Sequence, residues 1–259
     1  MTNYVLLNII SYCKFLYKSK NRHGVHSPFV YELVTKCFND SECKSEYKLL
    51  KAYQKILYKN LGKELVNVSE EVENNTIQLP KIAKISGMSS KNAELLFRII
   101  QYFQPQNVLD VGSSLGFAAV SIALANPSAK VVKVEEYAET AKQFFLQTQK
   151  FNLQNVHVIT SEFINYCKYL GNNPTPFDLI FFDGKHACEA TFAYFDMLFP
   201  TVSEHTFWIF NNIHCSSSNK KVWEFIKSHP KVTITIDTFQ FGIVFFRTVQ
   251  AKENFVIRV

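Results

Sequence analysis

The chain has 259 residues, of which 47% are hydrophobic and 19% are charged, so its composition is that of a folded protein and not of a disordered one. No apolar run reaches the roughly 18 residues of a membrane span, and no signal peptide is evident, so we expect a cytoplasmic protein. The six cysteines are scattered and form no C-x-x-C motif, which argues against a disulfide framework or a zinc site.

The positive charge is concentrated at the N-terminal end of the chain. Residues 1–63 contain 11 Lys and Arg against 4 Asp and Glu, a net charge of +7, whereas the remaining residues carry a net charge of −1. Such an excess could contact an acidic partner, a membrane surface or nucleic acid, or it could be a set of solvated helix faces.

The first residues predict helices. Residues 4–20 place apolar side chains at spacings of three and four, namely Leu6, Ile9, Ile10, Cys13 and Leu16. This stripe indicates a helix that packs on the core or on a partner, with an interfacial membrane helix as the alternative. Ser27-Pro28 predicts the start of a second helix, because serine caps helices and proline favours their first position.

A third helix is predicted over residues 44–63, followed by a polar loop or linker over residues 64–78. Two more helices are predicted, over Pro80–Ser86 and Lys91–Phe103. After these helices the pattern changes, and strands are predicted as well.

From residue 107 onward, short apolar runs alternate with helical patterns. Five strands are predicted, at residues 108–111, 131–134, 156–159, 179–182 and 207–210, and each is followed by a helix. Two closing strands, Val232–Ile236 and Phe241–Phe246, lie so close in sequence that the last must be antiparallel to the one before it. The pattern predicts an α/β fold with a doubly wound, seven-stranded, mostly parallel sheet.

Polar residues follow the predicted parallel strands, where ligands bind in open α/β sheets. The first strand ends at Asp110, and the loop after it contains Gly112, Ser113 and Gly116, whose glycines would allow positive φ or close backbone approach. Glu135 ends the second strand, near the spacing at which a carboxylate meets ribose hydroxyls. Further polar residues follow the third strand (Ser161, Glu162), the fourth (Asp183, His186) and the fifth (Asn211, Asn212, His214).

Asp110-x-Gly112-x-x-x-Gly116 resembles motif I of class I S-adenosylmethionine (SAM)-dependent methyltransferases, and residues 106–247 resemble that class as a whole. The stretch FDLIFFDGKH is similar to small-molecule O-methyltransferases, in which an Asp ends the fourth strand. HGVHSPFVY and the C-terminal GIVFFR…KENFVIRV further resemble a group of uncharacterised methyltransferase-like proteins of Bacteroidota.

The excess of positive charge, the helical patterns and the polar linker together predict a helical extension over residues 1–78. The resemblance implies a Rossmann-like SAM-binding domain in the rest of the chain, residues 79–259. It implies SAM as the cofactor, with the third strand end reading the adenine. The residues it assigns to cofactor binding are Asp110, Gly112, Ser113, Gly116, Glu135, Ser161, Glu162 and Asp183.

Metal-dependent members of the class hold a divalent cation at positions that match Asp183, Asn211 and Asn212 here. One carboxylate and two neutral amides make a weak Mg²⁺ site, so we expect no tightly bound metal. Asparagine cannot act as a general base. His186 and His214 are therefore the candidate bases, and Asp183 could orient one of them.

The prediction is a SAM-dependent methyltransferase that methylates a hydroxyl group of a small molecule. Its N-terminal helices are expected to form a cap on the acceptor side or a homodimer contact. The alternative is a SAM-binding protein that has lost catalysis and serves as a partner or regulatory subunit, and the Asn211-Asn212 pair favours it. Nucleic acid is not the expected partner, because Asp183-Gly-Lys-His stands where base-amino methyltransferases carry an Asn/Asp-Pro-Pro-aromatic run.

Overall fold

The computed structural model describes residues 2–59, 65–67, 76–78, 88–112, 116–173, 175–182 and 188–259. These residues form two compact units. The central unit is Ser41–Tyr166, and the terminal unit combines Met1–Asp40 with Cys167–Val259. The division into an extension over residues 1–78 and a SAM-binding domain over residues 79–259 stays a prediction.

Nine α-helices lie in the described residues: α1 (Thr2–Lys18), α2 (Pro28–Leu33), α3 (Tyr47–Lys59), α4 (Ser90–Phe103), α5 (Phe117–Ala125), α6 (Ala138–Lys150), α7 (Phe163–Asn172), α8 (Cys188–Leu198) and α9 (Ser217–Ser228). A π-helical turn, Val34–Phe38, continues α2. None of the described helices is both long enough and apolar enough to cross a bilayer.

Ten strands are described: β1 (Leu65–Asn67), β2 (Thr76–Gln78), β3 (Asn107–Val111), β4 (Lys130–Glu135), β5 (Val156–Thr160), β6 (Leu179–Phe182), β7 (Phe207–Asn211), β8 (Ile234–Asp237), β9 (Phe241–Phe245) and β10 (Glu253–Val256). The strands β1 and β2 pair with each other as a small antiparallel sheet. This pairing corrects the predicted loop over residues 64–78, because the apolar and β-branched residues at its two ends support short strands.

In the central unit, β3, β4 and β5 run parallel, with β4 between the other two. The residues of β3 and β4 are almost all buried, as expected for parallel strands that are covered on both faces. Helix α5, which follows β3, is buried along nearly its whole length. This apolar framework fixes the carboxyl ends of β3 and β4.

In the terminal unit, β6 and β7 run parallel, and β9 is antiparallel to both β7 and β8. The last strand, β10, pairs with β8 in parallel and carries the buried Phe255. The backbone of Lys20, just after α1, bonds to Val256 and Arg258, so α1 is tied to the C-terminal strand. The N-terminal and C-terminal segments thus belong to one compact unit.

The α/β fold with mostly parallel strands confirms the predicted fold class. The central and terminal units contribute three and five strands, respectively, in addition to the β1–β2 pair, so the number is eight where the prediction was seven. The extra strand is β10, a short strand of two polar and two apolar residues that has no antiparallel neighbour close to it in sequence.

Local capping explains several helix ends that the sequence predicts. The Ser27 side chain accepts from the Val30 N–H at the start of α2, with Pro28 in the first helical turn. Ser89 caps α4 in the same way, and α4 ends at Gln104, which takes a left-handed conformation before Pro105. The predicted helix over Pro80–Ser86 lies outside the described residues.

Close packing in the terminal unit depends on the absence of a side chain at Gly242 on β9. A Cβ atom at this position would lie 2.5 Å from Cζ3 of the buried Trp223 on α9. The benzo edge of the indole therefore sits directly on the β9 backbone. Such contact leaves no room for even a methyl group unless Trp223 moves.

We expect Gly242→Ala to lower the free energy of unfolding by about 1–3 kcal/mol, because the added methyl group overpacks the Trp223 contact. Gly171, near the end of α7, is the matched control, since a Cβ there has no atom within 4 Å. Gly171→Ala should raise the free energy of unfolding by up to about 1 kcal/mol through higher helix propensity. Urea denaturation measures both changes, and equal stability of the two variants would contradict the packing argument.

Candidate functional site

A buried cluster of three ionisable side chains lies at the carboxyl ends of β3 and β4. The parallel register pairs Asp110 on β3 with Lys133 on β4, and Glu135 lies two residues further along β4, on the same face as Lys133. The Lys133 Nζ atom is 3.4 Å from Asp110 Oδ2 and 3.9 Å from Glu135 Oε2. It also donates to the Gly112 carbonyl oxygen at 2.5 Å. One ammonium group thus serves two carboxyl groups and the first residue of the glycine loop.

The carboxyl oxygens of this cluster accept no hydrogen bond of good geometry within the described residues, and all four are buried. The Lys133 ammonium stabilises the ionised form of both groups, and the backbone N–H groups of Ala119 and Tyr137 do the same for Asp110 and Glu135, respectively. A buried acceptor without a donor is costly, and a folded protein rarely leaves one without a reason. The four oxygens therefore form a set of acceptors that fits a ligand rich in hydroxyl or amino donors.

Burial also changes the acidity of these groups. It raises the pKa of Glu135 to about 7, although the positive charge of Lys133 opposes the rise. Burial raises the pKa of Asp110 as well, again against the effect of Lys133. Glu135 therefore changes its charge near neutral pH, where an ordinary glutamate is fully ionised.

The loop after β3 needs its two glycines. Gly112 has φ = 134° and Gly116 has φ = 71°, both in the region that side chains disfavour, which confirms the predicted positive φ. A Cβ on Gly116 would lie 1.9 Å from the Phe144 ring on α6, so the glycine makes room for this ring. Phe144 in turn lies against the Lys133 ammonium, 5.8 Å from Nζ to the ring centre. Ser113, between the glycines, lies outside the described residues.

The end of β5 meets the end of β4. The Ser161 N–H donates to the Glu135 carbonyl at 3.0 Å, which places the Ser161 backbone beside the buried cluster. The Glu162 side chain is exposed and accepts from the Asn165 side chain at 2.9 Å. Among the predicted cofactor residues, those that the structure brings together are Asp110, Gly112, Gly116, Glu135 and Ser161. The Glu162 carboxylate instead accepts from Asn165 on α7, the helix that follows it.

In the terminal unit, His214 pairs with a carboxylate that sequence reasoning missed. The His214 Nε2 atom is 2.7 Å from Asp237 Oδ2 at the end of β8. The other Asp237 oxygen accepts from the Phe239 N–H at 2.8 Å, which holds the carboxylate in place. Because a carboxylate only accepts, the neutral imidazole carries its proton on Nε2 and leaves Nδ1 as a proton acceptor. This arrangement suits a general base.

Aromatic rings fix the plane of the His214 imidazole. The ring stacks on Phe239, with centroids 5.1 Å apart and an angle of 13° between the planes. Phe15 of α1 approaches both rings, and Tyr12 meets Phe239 edge-on. The Phe15 ring of α1 therefore packs beside His214, while the predicted cap on the acceptor side stays a prediction.

The amide pair at the end of β7 is held by a third amide. Gln240 Nε2 donates to the side-chain oxygens of Asn211 and Asn212, at 2.6 Å in each case. Asn212 has φ = 59°, a conformation that asparagine tolerates, and its N–H donates to the Gln240 carbonyl. The oxygens that would face a cation in the metal-dependent pattern instead accept from an amide of the same chain.

A small cavity of about 40 Å³ adjoins this pair. Its lining includes the polar side chains of Thr191, Asn211 and Asn219 and the aromatic rings of Phe182, Phe210 and Trp223. The volume is enough for water but not for an organic molecule. The cavity therefore runs from the polar residues at the end of β7 to apolar side chains of the terminal unit.

Two predicted catalytic residues, Asp183 and His186, lie outside the described residues, so their placement stays a prediction. In the part of the chain that the structure describes, no group of three His, Cys, Asp or Glu could hold a metal ion.

Sequence reasoning missed Lys133, Asp237 and Gln240. Lys133 had a signal, since a lysine inside an apolar parallel strand must be buried and must find a counter-charge. Asp237 and Gln240 had none, because the closing hairpin brings them to His214 and Asn211 from 23 and 29 residues away.

Comparison with known proteins agrees with this geometry. Residues 109–213 match the family model described as a methyltransferase domain. The O-methyltransferase from Bacillus cereus, solved with SAH, is similar over 83% of this chain and 94% of its own, with 16% identity and a TM-score of 0.55. Rv0187 from MTB, solved with a cofactor, is similar over 81% of this chain and 93% of its own, with 16% identity and a TM-score of 0.57.

The O-methyltransferase TomG from Streptomyces achromogenes, solved with SAM, is also similar, over 64% of this chain and 86% of its own, with 15% identity and a TM-score of 0.54. At these identities the solved structures establish the fold. With the domain match, they confirm the predicted resemblance to class I methyltransferases of the O-methyltransferase type.

Proposed function

We propose that this protein is a SAM-dependent O-methyltransferase that acts on a small-molecule acceptor and uses His214 as its general base. The observation that carries the proposal is the set of buried carboxyl oxygens on Asp110 and Glu135 that accept no hydrogen bond of good geometry within the described residues. SAM offers what they need, since its ribose has two hydroxyl donors and its sulfur and amino group are positively charged. The crystal structures of TomG with SAM and of the Bacillus cereus enzyme with SAH support this cofactor.

The proposal assigns cofactor binding to the central unit. Glu135 would accept from the ribose hydroxyls, the backbone at Gly112–Gly116 would approach the cofactor closely, and Ser161 would stand at its adenine end. SAM, when bound, supplies a methyl group that its sulfonium already activates. The protein then has to orient the acceptor, exclude water and remove a proton.

The terminal unit supplies the proton acceptor. His214 Nδ1 takes the hydroxyl proton of the acceptor, while Asp237 holds the imidazole in the required tautomer and stabilises the imidazolium that forms. This pair favours an enzyme over the alternative of a SAM-binding protein without catalysis. The acceptor is proposed to be a small molecule with a hydroxyl acidic enough for histidine to deprotonate.

The proposed enzyme works without a bound metal. Gln240 occupies the side-chain oxygens of Asn211 and Asn212 with its amide hydrogens, which leaves them poorly suited to coordinate Mg²⁺. Two neutral amides could not offset the dehydration of the ion in any case. The basicity that a metal would otherwise create has to come from the histidine.

We expect Glu135→Gln to weaken SAM binding about tenfold to a hundredfold, because it removes charge-assisted hydrogen bonds worth roughly 1.5–3 kcal/mol. The matched control is Glu136→Gln, which makes the same change at an exposed neighbour. Calorimetric titration with SAM measures both. Equal affinity of the two variants would refute the role of Glu135.

The raised pKa of Glu135 adds a pH signature to the same titration. Below pH 7 its carboxyl group is mainly protonated, and hydroxyl donors favour the ionised form, so the affinity of the parent protein for SAM should rise as the pH increases through about 7. Binding should release protons, and titrations in two buffers with different ionisation enthalpies detect this. The pH dependence should be flatter in Glu135→Gln.

We expect Asp237→Asn to lower the rate of methyl transfer by about 10²–10⁴-fold, because the amide favours the wrong imidazole tautomer. The rate is measured as SAH formed with a panel of phenols and catechols, and SAM affinity should stay unchanged. Nitrogen-15 spectra of the histidines give a second readout, in which His214 of the parent protein should carry its proton on Nε2. His205, which is exposed, serves as the reference residue. A parent protein with its proton on Nδ1 would overturn the assignment.

Removal of divalent metals should leave the activity unchanged. Methyl transfer in excess EDTA should match that in Mg²⁺, because no step of the proposed reaction relies on a cation. The double variant Asn211→Asp, Asn212→Asp tests the opposite case, since it restores the anionic oxygens that Mg²⁺ prefers. An activity that EDTA abolishes in the parent protein would show that a metal takes part.

A further inference from the structure

Helix α1 packs onto the rest of the terminal unit with one narrow face. Phe15 is buried and contacts Phe239, and the Lys220 ammonium on α9 donates to the buried Ser11 hydroxyl. Together with the backbone bonds at Lys20, these contacts anchor the helix and set its rotation. The covered face is therefore that of Ser11 and Phe15.

The opposite face of α1 is apolar and uncovered. Ile9, Ile10 and Tyr17 are 54%, 43% and 93% exposed, and Cys13 is exposed between them. At 100° per residue, these four positions fall within about 100° of one another on the side away from Phe15. The stripe predicted to pack on the core therefore faces outward along Ile9, Ile10 and Cys13. The apolar periodicity predicted that the face of Ile9, Ile10 and Cys13 would be buried. In the structure, the opposite face, with Ser11 and Phe15, is the buried one.

Positive charge lies along one edge of this uncovered face and just beyond the end of the helix. Lys14, Lys18, Lys20 and Arg22 are all exposed, and the sequence has no Asp or Glu before Glu32. Two copies joined through this face would bring these cations together without a counter-charge, which disfavours a homodimer contact here. The apolar stripe with Tyr17, and the basic residues beside it, instead complement a partner that has an apolar interior beneath a negatively charged surface layer.

We propose that the exposed face of α1 binds the surface of an anionic lipid bilayer. Ile9, Ile10 and Tyr17 enter the boundary between headgroups and acyl chains, while Lys14, Lys18 and Arg22 contact lipid phosphates. Tyr17 suits this boundary because its ring is apolar and its hydroxyl group is polar. The helix lies along the surface and does not span it, so the protein binds reversibly.

The test uses the full chain and needs neither SAM nor an acceptor, so its outcome is independent of the proposed activity. Sedimentation with vesicles of equal parts phosphatidylglycerol and phosphatidylcholine measures binding, with phosphatidylcholine vesicles alone as the neutral comparison. The protein should bind the anionic vesicles, and the binding should weaken as salt is added. Absence of binding to the anionic vesicles, or equal binding to both kinds, would overturn the proposal.

Two pairs of variants separate the apolar and the charged contributions. Ile9→Ser with Tyr17→Ser should lower partitioning by about tenfold or more, whereas Leu146→Ser with Tyr169→Ser, at exposed positions on α6 and α7, should not. Lys14→Glu with Lys18→Glu should lower it by at least about twentyfold, from roughly fivefold per lysine, whereas Lys142→Glu with Lys168→Glu should change it much less. All eight residues are exposed, so the variants are expected to fold, and thermal unfolding checks this.

A different partner would give a different result. If the protein forms a dimer in solution that Ile9→Ser with Tyr17→Ser dissolves, and does not bind vesicles, the face is a contact between copies and the lipid proposal is wrong. Full vesicle binding by both α1 variants would also overturn it, because the surface would then lie elsewhere. Sedimentation velocity of the parent protein and the variants distinguishes these outcomes.

Discussion

The interaction on which the central unit depends is the burial of Lys133 between two carboxyl groups. A fully buried ammonium group is tolerated only when opposite charge and hydrogen-bond acceptors replace water. Asp110 supplies the charge from the neighbouring strand, Glu135 supplies it from the same strand, and the Gly112 carbonyl accepts a hydrogen bond. The Lys133 ammonium group therefore links β3, β4 and the glycine loop. Loss of any one of the three charged side chains alters the charge balance of the other two.

Two polar clusters, one in each unit, differ in how their side chains are paired. In the terminal unit, Gln240 donates to both asparagines, and Asp237 accepts from both His214 and the Phe239 N–H. In the central unit, the buried oxygens of Asp110 and Glu135 accept no hydrogen bond of good geometry among the described residues. Matched groups fix the position of a side chain, whereas unmatched acceptors retain free energy that a ligand with donors can recover. This contrast assigns positioning to the first site and ligand binding to the second.

Features that depend on residues close together in sequence could be predicted, whereas contacts between residues far apart in sequence could not. The strand ends at Asp110 and Glu135 could be read directly, because apolar runs end there and parallel strands place their ends at one edge. The Ser27 cap and the positive φ of the glycines could be predicted, because each depends on a few neighbouring residues. Asp237 and Gln240 could not, because the closing hairpin sets their register and a shift of one residue would turn their side chains away. The strand β10 was missed for the same reason, since its partner β8 is not its neighbour in sequence.

Helix α1 shows a further limit of periodicity, because it has apolar residues around most of its circumference. A pattern of this kind predicts the helix but not which face the core covers. Packing decided the matter through Phe15, whose ring fits beside Phe239 and His214, and left the isoleucines outside. The same helix thus holds the imidazole of the proposed base on one face and exposes the proposed lipid contact on the other. Because the Phe15 ring lies against His214, any displacement of α1 would also change the packing around that imidazole.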